Sequence, residues 1–486
     1  MMRSPRRTVA AILALLAVTA AGCSADSTPS PTPKRASAQP NIVFVLTDDL
    51  SMNLISHMPH VRAMQRAGTT MSRYYVVDSL CCPSRSAIFT GEYPHDNGVF
   101  TNHDPDGGYD AYLWHGDEQR AFAVALHNAG YRTALMGKYL NGYRPTDEPA
   151  RGYDEWDVAG NGYPEFGYTL NQNGDQQSYG HDAKDYMVDV LSTRGAQFIR
   201  TAAADHKPFM LEIATFAPHR PYTPAPRYAH AVPGLTYPRT PAYNTVPTDP
   251  PSWLRNRAVL RPAQQARIDA DYRQRVRADL AVDDLIANLQ KTLREKGIAG
   301  NTYFVFSSDN GYHMGENRLM PGKQTAFDTD IHVPLIVTGP GVPAGATVGA
   351  LASNIDLAPT FERIGGAPVG RTVDGVSLLP LWHGTPPASW QQTVLVEHHG
   401  PNDRKGDPDR QGRRSGNPPT YEAVRTADAL YVRYASGEQE YYDTRHDPYE
   451  RHNLAALGVP AALTTALRAL RDCHGATQCQ AAARLR

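Results

Sequence analysis

The sequence is poor in net charge, in cysteine and in long apolar runs, and it contains no internal repeat. Its 48 basic and 49 acidic residues leave a formal charge of −1, so no overall field favours a nucleic acid as a partner. Hydrophobic residues make up 41% of the 486 positions, as in an ordinary globular protein. A chain of that length can bury a large core, either as one big domain with an appendage or as two to three domains.

The N-terminal end carries an export pattern. Three arginines lie within the first seven positions, and residues 9–21 form an apolar stretch that has signal-peptide length and is too short to span a bilayer comfortably. The Ala-Ala-Gly-Cys that follows resembles a bacterial lipobox, which predicts that Cys23 is lipidated. We therefore predict a signal peptide at 1–22 and a lipid-attachment cysteine with a flexible Ser/Thr/Pro-rich linker at 23–40. The lipid would hold an exported protein at the outer face of the cytoplasmic membrane, and ordinary secretion is the alternative.

Two predicted strands end in oxygen-bearing side chains. Residues 41–47 form a continuous apolar run, typical of a strand buried on both faces of a parallel sheet, and residues 301–308 repeat the pattern. Asp48-Asp49 follows the first strand and Asp309-Asn310 follows the second. Ligands bind beyond the carboxyl ends of such strands, and adjacent carboxylates repel each other unless a cation is present. These side chains suit Ca²⁺ or Mg²⁺ rather than zinc, and a pair of solvated turns is the alternative.

The most unusual stretch is Asp-Ser-Leu-Cys-Cys-Pro-Ser-Arg-Ser at 78–86. Pro83 cannot continue a strand ladder, so the cysteines lie at a break in regular structure. Residues 84–89 are predicted to begin a helix, which places Cys81 just before a helix N-terminus, where negative charge is favoured. Arg85 adds a fork of donors that suits an anionic, oxygen-rich ligand. Two buried core cysteines are the alternative interpretation.

The run Cys81-Cys82-Pro83-Ser84-Arg85, followed by Thr-Gly, resembles the signature of type I sulfatases. In that family a generating enzyme oxidises the first cysteine to Cα-formylglycine. The hydrated aldehyde then attacks the sulfate ester and forms a covalent sulfate hemiester. The resemblance implies that Cys81 is the modified residue. It also implies a calcium ion whose ligands are the modified residue and four oxygen-bearing side chains: Asp48, Asp49, Asp309 and Asn310.

The resemblance assigns further roles in catalysis. It implies that Arg85 positions the nucleophile, that Lys138 and Lys323 hold the sulfate, and that His219 protonates the leaving alcohol. Outside these motif positions, His95 and His313 are weaker candidates for contact with the substrate.

The segment Gly-Lys-Tyr-Leu-Asn at 137–141 departs from the commonest sulfatase pattern. Leu140 stands where many sulfatases carry a histidine, and Asn141 or a water is a candidate to replace that histidine. This version is similar to the N-acetylglucosamine-6-sulfatases and the extracellular heparan-sulfate 6-sulfatases. The substrate expected from the resemblance is therefore a sulfated carbohydrate, a glycan bearing 6-O-sulfated N-acetylglucosamine. The alternatives are an aryl or other small-molecule sulfatase, a phosphomonoester or phosphonate hydrolase of the same superfamily, and a non-catalytic lipoprotein that binds sulfated glycans.

The resemblance implies an alkaline-phosphatase-like α/β fold. Its large domain, at 41–385, would hold a mostly parallel sheet flanked by helices, and a C-terminal subdomain, at 386–486, would hold a small antiparallel sheet and a terminal helix. Five Lys or Arg residues at 401–419 indicate an exposed basic loop. A bridge between Cys473 and Cys479 is favoured over a metal site, because no second ligand pair lies nearby in the sequence.

Overall fold

The computed structural model describes residues 39–367, 372–412 and 414–485. The predicted signal peptide, the predicted lipid-attachment residue Cys23 and nearly all of the predicted linker lie outside these residues. Across the described ranges, no helix combines the length and the apolar character needed to cross a bilayer.

Parallel strands form the centre of the fold. A ten-stranded sheet has the order β11-β2-β10-β9-β1-β8-β4-β5-β6-β7, and its five central strands, from β9 to β5, run parallel. A second sheet has the order β13-β14-β15-β16 and is antiparallel, and β3 pairs with β12. The strands of the described chain are β1 Asn41–Thr47, β2 Thr69–Met71, β3 Tyr74–Tyr75, β4 Arg132–Lys138, β5 Glu155–Ala159, β6 Thr169–Gln172, β7 Asp175–Ser178, β8 Phe209–Ala214, β9 Thr302–Ser308, β10 Leu335–Thr338, β11 Ala346–Val348, β12 Ala352–Ser353, β13 Thr393–His398, β14 Tyr421–Thr426, β15 Ala429–Tyr434 and β16 Gln439–Asp443.

Helices cover both faces of the large sheet. The α-helices of the described chain are α1 Pro59–Ala67, α2 Cys81–Thr90, α3 Pro94–Asn97, α4 Gly108–Trp114, α5 Phe122–Asn128, α6 Met187–Ala204, α7 Ser252–Arg255, α8 Pro262–Glu295, α9 Asp328–Ile331, α10 Leu357–Gly365, α11 Leu379–Trp382, α12 Ala461–Arg471 and α13 Ala476–Ala482.

Strand β1 shows how the core is divided by the sheet. Its alternate residues Ile42, Phe44 and Leu46 belong to a cluster with side chains of α5 and α10, whereas Val43 and Val45 belong to a cluster with side chains of α6 and α8. All five are fully buried, and burying each apolar side chain stabilises the fold by roughly 1.5–3 kcal/mol. The continuous apolar run in the sequence reflects this burial on both faces.

The C-terminal sheet packs against α12. Leu395 of β13 and Val424 of β14 contact Leu463 and Leu467 of that helix in a separate apolar cluster. The predicted terminal helix is present as α12, and a further helix that was not predicted, α13, follows it. Only one residue of α13 is buried, so the segment has no apolar stripe by which the sequence could reveal it.

A disulfide attaches α13 to the end of α12. It joins Cys473 to Cys479, with 5.0 Å between their Cα atoms. By their backbone contacts, the described residues form one compact unit, so both sheets belong to a single folded body. The predicted division between residues 385 and 386 stays a prediction.

Candidate active site

The carboxyl ends of four neighbouring parallel strands meet at one edge of the large sheet. Thr47 of β1 pairs with Ser308 of β9, so the acidic pairs that follow these strands emerge side by side. Lys138 is the last residue of β4 and His219 lies on the loop after β8. The topology thus brings together side chains that are far apart in the sequence, such as Asn310 and Asp49, which are hydrogen-bonded across 261 residues.

Cys81 is the first residue of α2, so the helix begins three residues before the predicted start at residue 84. The residue before it is extended, and Gly91 ends the helix in the left-handed conformation at φ 71°. Every residue of α2 is buried. The Cys81 sulfur lies 3.3 Å from Asp48 Oδ1 and contacts Lys323 Nζ. This sulfur marks the position that an oxygen on Cβ would take after oxidation of the residue.

Burial is the main cause that raises the pKa of the Cys81 thiol well above its ordinary value. The nearby carboxylates of Asp409 and Asp48 raise it further, whereas Lys138 and Lys323 act in the opposite direction. The neutral thiol is therefore favoured, and a neutral thiol is a weak nucleophile.

The predicted metal ligands lie together. Side-chain ligand atoms of Asp48, Asp49, Cys81 and Asp309 are all within 4.8 Å of one another, and all four residues are buried. The Asn310 Oδ1 atom is also buried, and within the described chain it receives no hydrogen bond. A buried oxygen without a donor, beside three carboxylates, is the environment that a hard divalent cation satisfies. The residues therefore fit a calcium or magnesium ion.

Each of the three carboxylates in this set also faces a buried cation. Arg85 Nε lies 2.8 Å from Asp309 Oδ2, Lys138 Nζ lies 2.5 Å from Asp48 Oδ2, and Lys323 Nζ lies 2.6 Å from Asp49 Oδ1. Burial lowers the pKa of a lysine, but here the neighbouring carboxylates outweigh it and raise the pKa of both lysines. Three positive charges therefore point into one water-poor site.

His219 presents both ring nitrogens to hydrogen-bond acceptors. Nδ1 lies 2.6 Å from the Arg220 carbonyl oxygen, and Nε2 lies 2.6 Å from Asp409 Oδ1. Burial lowers the pKa of this histidine, but the carboxylates of Asp48, Asp49 and Asp409 outweigh that effect and raise it. The raised pKa and the acceptors at both nitrogens favour the protonated ring, which can donate a proton at Nε2.

Asp409 is the residue of the site that the sequence did not reveal. It lies on the predicted basic loop, yet it is only 3% exposed. Its carboxylate accepts hydrogen bonds from Asn102 Nδ2 at 2.7 Å and Asn141 Nδ2 at 3.1 Å, and it lies 2.7 Å from Lys323 Nζ. Burial raises the pKa of an aspartic acid, but Lys323 and His219 hold the pKa of Asp409 well below its usual range, so it is charged.

A cavity of about 520 Å³ opens beside these groups. Lys138, Asn141 and Leu140 line it near the reaction centre, and aromatic rings of Tyr163 and Phe216 line it as well. Lys138 Nζ lies 5.1 Å from the centre of the Tyr163 ring, within range of a cation–π interaction. Asn141, the candidate to replace the missing histidine, points at Asp409 from this side.

The two weaker candidates for substrate contact, His95 and His313, form hydrogen bonds with other parts of the protein. His95 bonds to Glu397 through Nδ1 and to the Cys473 carbonyl oxygen through Nε2, and it does not contact the cluster around Cys81. His313 is buried and bonds to Asp330 through Nδ1 and to the Ser415 carbonyl oxygen through Nε2. Neither ring has a nitrogen available for a substrate in this arrangement. Long-range hydrogen bonding thus engages both rings, and the two substrate-contact assignments stay predictions.

A family model described as Sulfatase matches residues 40–367, about two thirds of the chain. The chain belongs to the sulfatase family. A second model, described as the C-terminal region of N-sulphoglucosamine sulphohydrolase, matches residues 315–471 of this sulfatase. That second range includes Lys323, the loop with Asp409 and the antiparallel sheet.

Curated relatives resemble this sulfatase along most of its length. The N-acetylglucosamine-6-sulfatase of Homo sapiens is 34% identical over 476 residues, which cover 90% of this chain and 86% of that protein. The extracellular sulfatase SULF-1 homolog of Drosophila melanogaster is 35% identical over 372 residues. A putative extracellular sulfatase Sulf-1 homolog of Caenorhabditis elegans is 36% identical over 375 residues. The aligned region of this sulfatase spans 33% of the fly protein and 52% of the worm protein.

Solved structures share the fold. One, a complex of a protein with its substrate D-glucosamine-2-N,6-O-disulfate, has a TM-score of 0.76 and 22% identity, covering 89% of this chain and 97% of that chain. A phosphonate monoester hydrolase from Silicibacter pomeroyi has a TM-score of 0.67 and 21% identity, covering 89% of this chain and 94% of that one. The expected alkaline-phosphatase-like α/β architecture, with its small antiparallel C-terminal sheet, is confirmed.

Proposed function

We propose that this sulfatase hydrolyses 6-O-sulfate esters on N-acetylglucosamine-containing glycans. The observation that carries the proposal is the set of three buried cations, Arg85, Lys138 and Lys323, arranged with a protonated His219 around Cys81. The choice of sugar rests on the N-acetylglucosamine-6-sulfatase that aligns with 90% of the chain.

The cations match the charge that sulfate transfer develops. A sulfate monoester is anionic and repels an anionic nucleophile, so its cleavage needs positive charge where oxygen charge builds. Lys323 contacts the Cys81 sulfur, and Lys138 pairs with Asp48, which also contacts that sulfur. Both lysines would bind the sulfate oxygens. Arg85 donates to Asp309 and to the Lys138 carbonyl oxygen, and so orders both flanks of the site. His219 would transfer its Nε2 proton to the leaving alcohol.

Two groups would complete the chemistry. We infer that the formylglycine-generating enzyme of the host converts Cys81 to Cα-formylglycine, whose hydrate supplies a hydroxyl nucleophile in place of a thiol. We also infer that Asp48, Asp49, Asp309 and Asn310 hold Ca²⁺, or alternatively Mg²⁺, which would supply additional positive charge to the sulfate oxygens and to the hydroxyl.

Substrate entry requires the Asp409 carboxylate to leave its present position. Asp409 occupies donors on His219 and Lys323, and in this mechanism the same two donors serve the leaving oxygen and the sulfate. One anion cannot bind there while the other remains. We therefore infer that the substrate displaces this carboxylate when it binds.

The proposed function is tested on protein produced in its native host. Mass spectrometry of the peptide around residue 81 should show a loss of about 18 Da, as the conversion of cysteine to formylglycine requires. The protein should release sulfate from N-acetylglucosamine 6-sulfate, and Cys81→Ala should abolish that release. Cys82→Ala is the matched control, because Cys82 packs into the apolar core. Full activity with an unmodified thiol at residue 81 would contradict the mechanism. Much faster hydrolysis of a phosphate ester than of the sulfate ester would mean that the protein is a phosphoesterase and not a sulfatase in its activity.

We also infer that the protein is exported and lipid-anchored. The inference rests on the N-terminal sequence pattern, on Cys23 and on the extracellular sulfatases among the relatives. Metabolic labelling with a radioactive fatty acid should mark the wild-type protein. Cys23→Ser should lose the label and move the protein from the membrane fraction to the medium. Unlabelled wild-type protein in the medium would point to ordinary secretion instead.

A further inference from the structure

The cavity beside the reaction centre has a positively charged outer wall. Residues 404–408 of the predicted basic loop form this wall, and Arg404 and Lys405 are its two cations. Lys138 and Asn141 also line the cavity, and they contact the reaction centre through Asp48 and Asp409. A sugar whose sulfate lies at Lys138 would therefore place its ring in this cavity.

The two outer cations are not neutralised. Arg404 Nη1 donates to the Asp104 carbonyl oxygen, and within the described ranges no carboxylate lies within ion-pair distance of either Arg404 or Lys405. Both side chains are exposed. Their charge is therefore available to a ligand in the cavity.

The one carboxylate on the cavity wall is already engaged. Asp407 accepts hydrogen bonds from Asn402 Nδ2 and from the Asp409 backbone N–H, both at 2.8 Å, and lies 3.8 Å from His103 Nε2. Lys138, at the inner end of the cavity, is paired with Asp48. The outer wall consequently presents excess positive charge to a ligand in the same cavity that Lys138 lines.

We propose that Arg404 and Lys405 form a second anion subsite, which binds a sulfate or carboxylate group other than the ester that is cleaved. This inference rests on the proposed function and narrows the expected substrate to a glycan with at least two anionic groups near each other. A glycan that is neutral apart from its 6-O-sulfate would leave both cations without a ligand.

The test compares two substrates with the double variant Arg404→Ala/Lys405→Ala. N-acetylglucosamine 6-sulfate has one anionic group, and N-sulfated glucosamine 6-sulfate has two. We expect the variant to lower kcat/KM about tenfold for the doubly anionic substrate, the size of effect that a pair of partly exposed charges can produce, and to change it less than about twofold for the other substrate. Added salt should reduce the preference of the wild-type protein for the doubly anionic substrate.

Arg410→Ala/Arg414→Ala is the matched control. These arginines lie on the same loop and are exposed, but they do not line the cavity. An equal loss on both substrates, or no loss on either, would overturn the second subsite. The same loss in the control variant would also overturn it, because it would reveal a non-specific charge effect.

A binding measurement separates failure of the subsite from failure of the proposed function. In a Cys81→Ala background, calorimetric titration with N-sulfated glucosamine 6-sulfate reports the subsite without turnover. About tenfold weaker binding on adding Arg404→Ala/Lys405→Ala supports the subsite even if the wild-type protein cleaves neither sugar. Unchanged binding overturns the subsite even if the wild-type protein cleaves both.

Discussion

Replacement of Asp409 tests how the site admits an anion. Its carboxylate holds Lys323 Nζ at 2.7 Å and His219 Nε2 at 2.6 Å, and it must release both before a sulfate can bind. A hydrogen bond to a charged group contributes about 1.5–3 kcal/mol, and part of this is offset by the cost of burying the charges. If Asp409→Asn removes the equivalent of one such bond, inorganic sulfate should bind roughly 10- to 100-fold more tightly.

Isothermal titration calorimetry with sodium sulfate, in buffer that contains calcium, measures this change directly. Asp409→Ala is a second variant that removes the side chain altogether, and a thermal melt checks that both variants fold. Asp403→Asn makes the same chemical change on an exposed residue of the same loop, and it should leave the sulfate affinity within about twofold. Sulfate binding that is unchanged or weaker in both folded Asp409 variants would refute the displacement of Asp409 by substrate.

Three further predictions concern stability. Burial lowers the pKa of His95, but the effect of Glu397 is larger, and the pKa rises from 6.5 to about 9. The protonated form of His95 therefore stabilises the fold, and this contribution is fully present below pH 6.5. About 3 kcal/mol of unfolding free energy should be lost as the pH rises through 9, and Glu397→Gln should remove this dependence in urea titrations. Gly137→Ala should destabilise the protein by over ~2 kcal/mol in the same assay, because the new Cβ would lie 2.0 Å from a β8 carbonyl oxygen at φ 105°. Replacing Cys473 and Cys479 by serine should cost about 2 kcal/mol, through loss of a short covalent loop.

Each of these predictions has its own control. His127→Gln changes a half-exposed histidine and should keep the wild-type dependence of stability on pH, whereas a Glu397→Gln profile that is parallel to wild type would contradict the role of His95. Gly174→Ala places a Cβ in open space at a similar φ of 102°, so an equal loss there would mean that backbone strain, and not the contact with β8, causes the effect. A reducing agent should destabilise the wild-type protein but not the serine double variant.

The sequence by itself determined the parts of the site that depend on local pattern. The apolar run of β1 and the oxygen-bearing pairs that follow β1 and β9 predicted a parallel sheet with a cation site at its edge, since a strand buried on both faces must be apolar throughout. The position of Cys81 at a helix N-terminus was predicted with the helix start three residues too late, because proline and glycine mark only approximately where regular structure begins and ends.

Only the tertiary structure decided which distant side chains share the site. Asp409 reaches His219 across 190 residues and Asn102 across 307 residues, from a loop whose composition predicts only a solvated basic segment. His95 and His313, by contrast, form hydrogen bonds with Glu397 and Asp330, partners that the sequence did not indicate. Such contacts depend on how loops that are distant in the sequence pack against each other above the edge of the sheet. Neither periodicity nor local propensity in the sequence predicts that packing.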